Sequence, residues 1–287
     1  MDSQTFFKNR VAVLATMHKK ERVIAPLLDK ELGIKVTVPP NFNTDKFGSF
    51  TREIERSGSQ IEAARLKAQQ ALLVTGESLA IASEGSFAPH PSLPYILCNR
   101  EVVILIDRKN GLEIIGEELS TDTNHNHSKV SNIKQAFDFA ETVGFPEHAL
   151  VVMLNDYPKK NEEIIKGINT ELALIEAINS GFKKSSNGEV HLETDMRAMY
   201  NPTRMKNIEK ATLNLIEKIN SLCPNCSTPG FDIVQKIPGL PCEWCRAPTN
   251  LTKSVIYKCQ KCGFRKVKSF PQGKHFADPA QCMYCNP

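Results

Sequence analysis

The sequence predicts a mixed α/β fold, a sheet covered by helices, followed by a small cysteine-rich module. Over the first 220 residues, short apolar runs typical of strands alternate with apolar residues at helical spacing. Eight of the nine cysteines then fall in the last 65 residues. Charge changes at the same place, since residues 1–220 carry 27 Lys and Arg against 29 Asp and Glu, while residues 221–287 carry 9 against 3. We therefore expect an α/β domain over 1–221 and a second module over 222–287.

The first predicted elements are a strand, a helix and a second strand. The apolar run Val11–Ala15 predicts the first strand. The helix that follows ends at Gly33, and Pro26 either kinks it or lies in its first turn. Ile34–Val38 predicts the second strand, before two prolines. The helix is predicted from one apolar stripe: Val23, Ile24, Leu27, Leu28 and Leu32.

A polar loop containing Asp45-Lys46-Phe47-Gly48 leads to the next helix, predicted over 59–74. Ser59, with Glu62 three residues later, is the pattern of a capping box at the start of this helix. Leu79–Ala82 then predicts a short buried strand that ends at a polar turn.

The remaining predicted elements are a hairpin, three helices and one more strand. Val102–Asp107 and Leu112–Glu117 predict antiparallel strands around Lys109-Asn110-Gly111. A helix that ends at Gly144 precedes a strand over Ala149–Leu154. The last two helices are indicated by Leu172, Ile175 and Ile178, and by Asn201-Pro202 with Met205, Ile208, Leu215, Ile216 and Ile219. This alternation predicts a mixed sheet covered by helices.

The clustered cysteines form four Cys-x-x-Cys pairs separated by 15, 13 and 19 residues. Two such pairs can surround one tetrahedral zinc ion, and four thiolates leave no position for a catalytic water. We therefore expect two structural Zn²⁺ ions, with redox dithiols or disulfides as the alternative. Sequential pairing of the four pairs is favoured, and an interleaved arrangement is left open. The predicted ligands are Cys223, Cys226, Cys242, Cys245, Cys259, Cys262, Cys282 and Cys285.

The charge of the C-terminal module raises the question of a nucleic-acid partner. Its excess of six positive charges falls to about two when eight thiolates and two Zn²⁺ are counted. Basic side chains beside aromatic ones can hold phosphates and stack bases, whereas the alternatives are a solvated hairpin face or a protein partner. The residues in question are Phe264, Arg265, Lys266, Lys268, Phe270 and Lys274.

Membrane and secreted classes are not expected from this sequence. Its longest apolar run, Ala149–Leu154, has six residues, whereas a membrane helix needs about twenty. The apolar stretch at the N-terminus is too short for a signal peptide. We therefore expect a cytoplasmic protein with reduced cysteines, of which Cys98 is a buried core residue.

Ligands of open α/β sheets bind beyond the carboxyl ends of strands, which directs attention to the turns after the predicted strands. Thr16, His18 and Lys20 follow the first strand at a helix N-terminus, where phosphate is attracted. Glu84 and Gly85 follow the strand at Leu79–Ala82. Because carboxylates facing such a turn suit Mg²⁺-assisted attack on a phosphoanhydride, Glu84 and Glu62 are the candidate Mg²⁺ ligands. The alternative for Lys20 is a solvated helix residue, and the alternative for Glu62 is a capping residue.

Two further segments carry candidate groups. Arg197 and Arg204 flank the start of the last helix and suit bidentate phosphate contacts. His125 and His127 lie with Asp122 in a predicted polar loop. The two histidines either share a metal, act in acid–base chemistry or are solvated. His90, between two prolines, is expected in a loop.

Four segments resemble an uncharacterised bacterial family, a domain of unknown function, over nearly the whole chain. The resemblance also includes the Cys-x-x-Cys pairs that begin at Cys223 and Cys242, and it implies no activity. The four segments are Ala15-Thr16-Met17-His18-Lys19-Lys20-Glu21, Ala82-Ser83-Glu84-Gly85-Ser86-Phe87, Thr194-Asp195-Met196-Arg197-Ala198 and Asn201-Pro202-Thr203-Arg204-Met205.

Residues 10–90 more distantly resemble the inosine triphosphate pyrophosphatase superfamily, Mg²⁺-dependent enzymes that cleave aberrant purine triphosphates to monophosphate and pyrophosphate. Thr16, His18 and Lys20 stand where that family grips phosphate, although His18 replaces an Asn. The segment Gly58–Ala68 resembles its metal-binding helix, which implies that Glu62 is a metal ligand, although Ala63 replaces an Asn. Glu84 stands at the position of its second acidic residue.

The leading hypothesis is therefore a Mg²⁺-dependent hydrolase of a nucleotide-like phosphoanhydride. Lys20, Glu62 and Glu84 would be its catalytic groups. The groups that would hold the substrate are Thr16, His18, Lys20, Gly85, Arg197 and Arg204. The rival hypothesis is a non-enzymatic protein that senses a nucleotide and transmits the signal through the zinc module to a protein or nucleic acid.

Overall fold

A computed structural model describes residues 3–40, 42–44, 58–153 and 163–286 of the chain. The loop expected around Asp45–Gly48, and Leu154 at the end of an expected strand, lie outside these residues. The described helices are α1 Ser3–Phe7, α2 Glu21–Leu32, α3 Gln60–Thr75, α4 Ile133–Thr142, α5 Glu171–Lys184 and α6 Pro202–Asn220. The described strands are β1 Val11–Ala15, β2 Lys35–Thr37, β3 Leu79–His90, β4 Leu93–Asp107, β5 Leu112–Ser120, β6 His127–Val130, β7 Leu150–Met153, β8 Ile164–Ile168, β9 Val190–Thr194, β10 Asp232–Pro238, β11 Thr252–Lys258 and β12 Arg265–Ser269.

The first sheet is mixed, as predicted. Its strand order is β2-β1-β3-β4-β5. Strand β1 pairs in parallel with β2 and β3, whereas β4 and β5 continue the sheet in antiparallel orientation. Parallel neighbours need a crossover, and helices α2 and α3 lie in the connections from β1 to β2 and from β2 to β3.

Helices cover both faces of this sheet, and the alternation of side chains along the strands explains why. On β1, Leu14 packs with α2 and α6 on one face, while Val13 packs with α3 on the other. The face toward α3 is lined by small side chains, among them Ala80 on β3 and Ala64 and Ala68 on α3. Strands buried on both faces have continuous apolar sequences, which is why β1 and the start of β3 are recognisable from sequence.

Local signals predict the helix ends correctly. Ser59 caps α3 and forms the complete capping box with Glu62, while Asn201 caps α6 through the backbone N–H of Arg204. Gly33 ends α2 in the left-handed conformation. Helix α2 begins at Glu21, so Pro26 lies inside the helix and not in its first turn.

Strands β3 and β4 form a long antiparallel hairpin that was not predicted, since only Leu79–Ala82 and Val102–Asp107 were expected as strands here. Strand β3 continues past Ala82 to His90, and the paired residues run from Leu79 opposite Asp107 to His90 opposite Leu93. The prediction that Glu84 and Gly85 lie in a loop is therefore wrong. His90, also expected in a loop, is the last residue of β3. The antiparallel neighbour β4 supplies backbone hydrogen-bond partners along the whole polar segment, which sequence periodicity does not reveal.

A second sheet, which the sequence analysis did not separate from the first, has the strand order β6-β9-β7-β8. Its strands are all antiparallel. Helices α4 and α5 pack on it through a core of their own that contains Phe139, Leu150, Leu174, Ile178 and Leu192. The short strands β6, β8 and β9 mix polar and apolar residues, so the sequence gives little sign of them.

Helix α6 approaches β5 so closely that Gly116 has no space for a side chain. A Cβ atom added there would overlap the Ala211 carbonyl oxygen and the Leu215 backbone nitrogen. Because the obstructing atoms are backbone, we expect Gly116→Ala to lower the free energy of unfolding by about 1–3 kcal/mol. Urea denaturation measures this change. Leu213→Ala, on the exposed side of α6, is the control, and a Gly116→Ala variant as stable as the wild type would contradict the packing described here.

The third sheet, β10-β11-β12, belongs to the cysteine-rich segment, which contacts β5 directly. The Gln260 side chain donates from Nε2 to the Glu113 carbonyl at 2.6 Å and accepts from the Glu113 N–H at 3.0 Å. Lys218 at the end of α6 pairs with Asp232 at 3.0 Å. None of the helices in the described ranges is long and apolar enough to cross a bilayer.

Candidate functional site

The turn between β1 and α2 carries three predicted site residues, and the structure buries all three. Thr16 Oγ1 accepts a hydrogen bond from the His18 N–H at 3.3 Å, which stabilises the turn. Lys20 is the N-cap residue of α2, and its Nζ donates to Ser83 Oγ at 2.9 Å and to the Ser83 carbonyl at 3.2 Å. The turn is thereby connected to the middle of β3.

Glu84 also lies beside this turn, and its carboxylate is paired. Its Oε2 is 2.6 Å from Lys67 Nζ on α3, and both side chains are buried. The Gln60 side chain, on the same face of α3, donates to the Glu84 carbonyl at 2.6 Å. Lys67 and Gln60 are therefore the residues of α3 that approach the site.

A fully buried ion pair completes the cluster, and it joins the predicted Arg204 to Glu101, which was not predicted. Arg204 Nε is 2.8 Å from Glu101 Oε1, with both side chains 0% exposed. Asn99 donates to the same carboxylate at 3.0 Å, and Arg204 also donates to the Met196 carbonyl. An added Cβ at Gly85 would overlap both the carboxylate and the guanidinium group, so Gly85 makes space for this pair. Glu101 was not singled out because the expected strand began at the apolar Val102, whereas β4 in fact starts at Leu93 and contains Glu101.

Arg197 lies at the outer side of the cluster. Its guanidinium group is 2.6 Å from Asp195 Oδ2 and lies over the Tyr200 ring at 4.7 Å from the centroid. Its side chain is 22% exposed, unlike that of Arg204. As predicted, both arginines flank the start of α6, but each is already engaged by a carboxylate.

Burial, together with the positive charges of the cluster, shifts two pKa values. Burial, followed by the charges of Lys20, Arg204, Arg197 and Lys67, lowers the pKa of His18 to about 3, so this imidazole is neutral at pH 7. Burial, followed by the charge of Arg204, lowers the pKa of Lys20 to about 7, against the opposing effects of Glu101 and Glu84. The contacts above and these electrostatic effects together bring seven predicted residues into one cluster: Thr16, His18, Lys20, Glu84, Gly85, Arg197 and Arg204.

Glu62 does not join them, which corrects the predicted metal pair of Glu62 and Glu84. Its exposed carboxylate accepts from the Ser59 N–H at 2.6 Å, and the hydrogen bonds with Ser59 hold its pKa below the usual value. At about 100° per residue, Glu62 lies about 160° around α3 from Gln60 and about 140° from Lys67, both of which face the site. Glu62 is thus the capping residue that its spacing from Ser59 also predicted.

The other singled-out residues are dispersed. His125 stacks on Phe87 at 5.2 Å, whereas His127 begins β6 and stacks on His191 at 5.4 Å, so each imidazole packs against a different ring. The Asp122 carbonyl accepts from Asn207 at 3.0 Å. Cys98 is buried, as predicted, and donates to the Ala88 carbonyl.

The eight clustered cysteines form two groups whose geometry fits tetrahedral metal binding. In the described residues, these are the groups of three or more candidate ligands that lie close enough to share an ion, with all Sγ atoms of a group within 4.8 Å of one another. The Cys223–Cys262 and Cys226–Cys259 Sγ separations are 3.7 and 3.6 Å. Those of Cys242–Cys285 and Cys245–Cys282 are 3.8 and 3.6 Å. Four sulfurs at 2.3 Å from a zinc ion are about 3.8 Å apart, so the spacing suits zinc and is far too long for disulfides.

The pairing is interleaved, so the favoured sequential pairing is wrong. The first group combines the first and third Cys-x-x-Cys pairs, and the second group combines the second and fourth. The strand register explains this arrangement. Asp232, after the first pair, lies opposite Lys258, just before the third, whereas Pro238, before the second pair, lies opposite Thr252 at the other end of the same hairpin. Each end of the hairpin therefore collects its own four thiolates.

Comparison with known proteins agrees with the first of the two resemblances. Residues 67–287 match a family described as a domain of unknown function, DUF6671. The match includes Lys67, Glu84, Glu101, Arg204 and all eight clustered cysteines, whereas the turn with Thr16, His18 and Lys20 precedes it. The curated proteins contain no match to the chain. Since the matched segment covers most of the length of the chain, this protein belongs to the DUF6671 family.

Proposed function

We propose that the α/β part of this chain binds a small anionic ligand, a nucleotide or a nucleotide-like phosphate, beside the Lys20 ammonium group. The observation that supports the proposal is that the buried Lys20 ammonium group has no carboxylate partner among the described residues. Both hydrogen bonds of its ammonium group go to Ser83 oxygens, and no carboxylate of the described residues lies within ion-pair distance of it. A buried charge is unfavourable unless it is paired. A bound anion would supply the partner.

The charges around Lys20 support this proposal. The cations Lys20, Lys67 and Arg204 face the carboxylates Glu84 and Glu101. Each carboxylate already contacts its own cation, at 2.6 Å for Glu84 and 2.8 Å for Glu101. One positive charge therefore remains when all five groups are ionised. The site also lies at the carboxyl end of β1 and at the N-terminus of α2, two positions that favour anionic ligands.

The choice of a phosphate ligand follows the resemblance of residues 10–90 to the inosine triphosphate pyrophosphatase superfamily, in which the residue at the position of Lys20 grips phosphate. Hydrolysis with Mg²⁺ stays a prediction of that resemblance. It would need Glu84 to leave Lys67, and it would need a metal ligand other than Glu62. Our proposal is therefore binding of the ligand, without a catalytic step.

For the cysteine groups we propose two structural Zn²⁺ ions, since thiolate ligands in tetrahedral groups suit zinc. Such thiolates must stay reduced. We therefore retain the cytoplasm as the proposed location.

The Lys20 side chain is the test of the proposed ligand site. In isothermal titration of the full chain with pyrophosphate and a panel of nucleoside triphosphates at pH 7, Lys20→Met should weaken binding at least tenfold. Lys30→Met, which removes an exposed charge from α2, should change affinity less than twofold. Because Lys20→Met removes a buried charge, the variant should fold normally. Phosphate release in the same samples distinguishes a hydrolase, and equal affinities of the Lys20 and Lys30 variants would refute the site.

Affinity should also depend on pH in a defined direction. Since the pKa of Lys20 is lowered to about 7, the free protein loses this charge as pH rises from 7 to 9, and a bound anion should restore it. Affinity should therefore fall over this range, where nucleotide phosphates are fully ionised, and binding at pH 8 should take up protons. Titrations in buffers of different ionisation enthalpy measure this uptake, which Lys20→Met should abolish. Uptake unchanged in the variant would assign it to another group.

A further inference from the structure

The three-stranded sheet of the cysteine-rich module concentrates positive charge. Its strands contain six basic residues and one acidic residue, Asp232, which is paired with Lys218 of α6. The six basic residues are Lys236, Lys253, Lys258, Arg265, Lys266 and Lys268. Such an excess in so small a sheet is unfavourable through mutual repulsion, unless an anionic partner offsets it.

The strand register divides these residues between the two faces of the sheet. Lys236 lies opposite Val255, which lies opposite Lys268, and Tyr257 lies opposite Lys266. Because side chains alternate along a strand, Lys253 shares the face of Val255. One face, called the lysine face below, therefore carries Lys236, Lys253, Lys266 and Lys268 without an acidic residue, while Lys258 and Arg265 lie on the other.

The four amines of the lysine face are available for a ligand. All four residues are exposed, and within the described ranges no hydrogen bond or ion pair engages any of their side-chain amines. Lys266 and Lys268 are spaced about 6.6 Å apart along β12, and β12 is the outer strand of its sheet, open along its length. A linear polyanion can thus follow the strand and contact successive amines.

We propose that the lysine face binds the phosphate backbone of a single-stranded nucleic acid. A row of amines on an open strand suits a chain of regularly repeated phosphates. The metal-bound module keeps its positive net charge of about two, because two Zn²⁺ ions offset half of the eight thiolates. The proposal is independent of the ligand site at Lys20. It also differs from the sequence-based expectation, since Arg265 points away from Lys266 and Lys268.

The test uses the zinc-loaded full chain and a fluorescein-labelled oligothymidylate of 20 nucleotides, followed by anisotropy. The variant Lys266→Gln/Lys268→Gln should bind at least tenfold more weakly at 50 mM salt. Its plot of log affinity against log salt should be less steep by about 1.4, because two phosphate contacts are lost. The control Lys258→Gln/Arg265→Gln removes the same charge from the opposite face of the sheet, one residue on β11 and one on β12, and should weaken binding less than threefold.

Several results would overturn the proposal. Equal weakening by the two double variants would show general attraction and not a defined face, and absence of wild-type binding at 50 mM salt would exclude a nucleic acid. Binding to phosphatidylserine vesicles that is tighter than binding to the oligonucleotide would identify a membrane surface instead. Self-association that the Lys266/Lys268 variant abolishes would identify a second copy as the partner. A preference for the duplex of the same sequence would exclude a single-stranded ligand.

Discussion

The double variant Cys245→Ser/Cys285→Ser is expected to lose one metal ion per chain, whereas Cys226→Ser/Cys245→Ser is expected to lose both. The reason is the interleaved pairing, which places Cys245 and Cys285 in one group and Cys226 in the other. Sequential pairing predicts the opposite result for both variants. Zinc per chain, measured by mass spectrometry after a mild chelator, distinguishes the two arrangements.

The single variant Cys245→Ser is the control for this experiment. It should retain one ion, which shows that one site survives the loss of the other. Because structural zinc sites contribute about 10–16 kcal/mol of binding free energy to folding, complete removal of metal should unfold the module. Loss of the near-ultraviolet circular dichroism signal of Trp244 would report this unfolding. Two ions retained after Cys226→Ser/Cys245→Ser would refute both arrangements.

Breaking the buried ion pair of Arg204 and Glu101 is expected to cause a large loss of stability. Arg204→Met leaves the Glu101 carboxylate buried without its guanidinium partner, which should lower the free energy of unfolding by about 3–5 kcal/mol. The double variant Arg204→Met/Glu101→Met should recover much of this loss, because it removes both charges. Urea denaturation at fixed zinc concentration measures each value.

A matched pair on the surface provides the comparison. Arg100 and Glu117 are 2.7 Å apart, close to the 2.8 Å of the buried pair, but their side chains are 42% and 38% exposed. Arg100→Met should therefore change the free energy of unfolding by less than about 1 kcal/mol. If the Arg204 and Arg100 variants lost the same stability, the Glu101 site would be hydrated and not buried as described.

Sequence predicted those parts of the fold that depend on local signals. The capping box at Ser59, the N-cap at Asn201 and the terminal Gly33 act within a few residues, and all three helix ends are confirmed. The continuous apolar run of β1 is equally local. The polar residues after β1 could be predicted as a cluster because strand ends are a recurrent place for ligands.

What sequence did not predict depends on contacts between remote segments. Asn99 and Glu101 occupy buried positions on β4. Because polar residues stand where apolar ones would be expected, the hydrophobic pattern does not reveal this part of the strand. Both residues are satisfied by Asn207 and Arg204, more than a hundred residues later. The metal pairing has the same origin, because the register of β10 against β11 decides which thiolates meet.

If the first cysteine group holds the proposed zinc ion, the contact of Gln260 with Glu113 gives loss of that ion a consequence for the whole chain. Gln260 lies between two thiolates of the first group and occupies backbone hydrogen-bonding groups of β5, the last strand of its sheet. An uncovered strand of this kind is a template for intermolecular pairing. Molecules that lack zinc would therefore expose the edge of β5. Aggregation would accompany the loss of metal even while the remaining α/β core is intact.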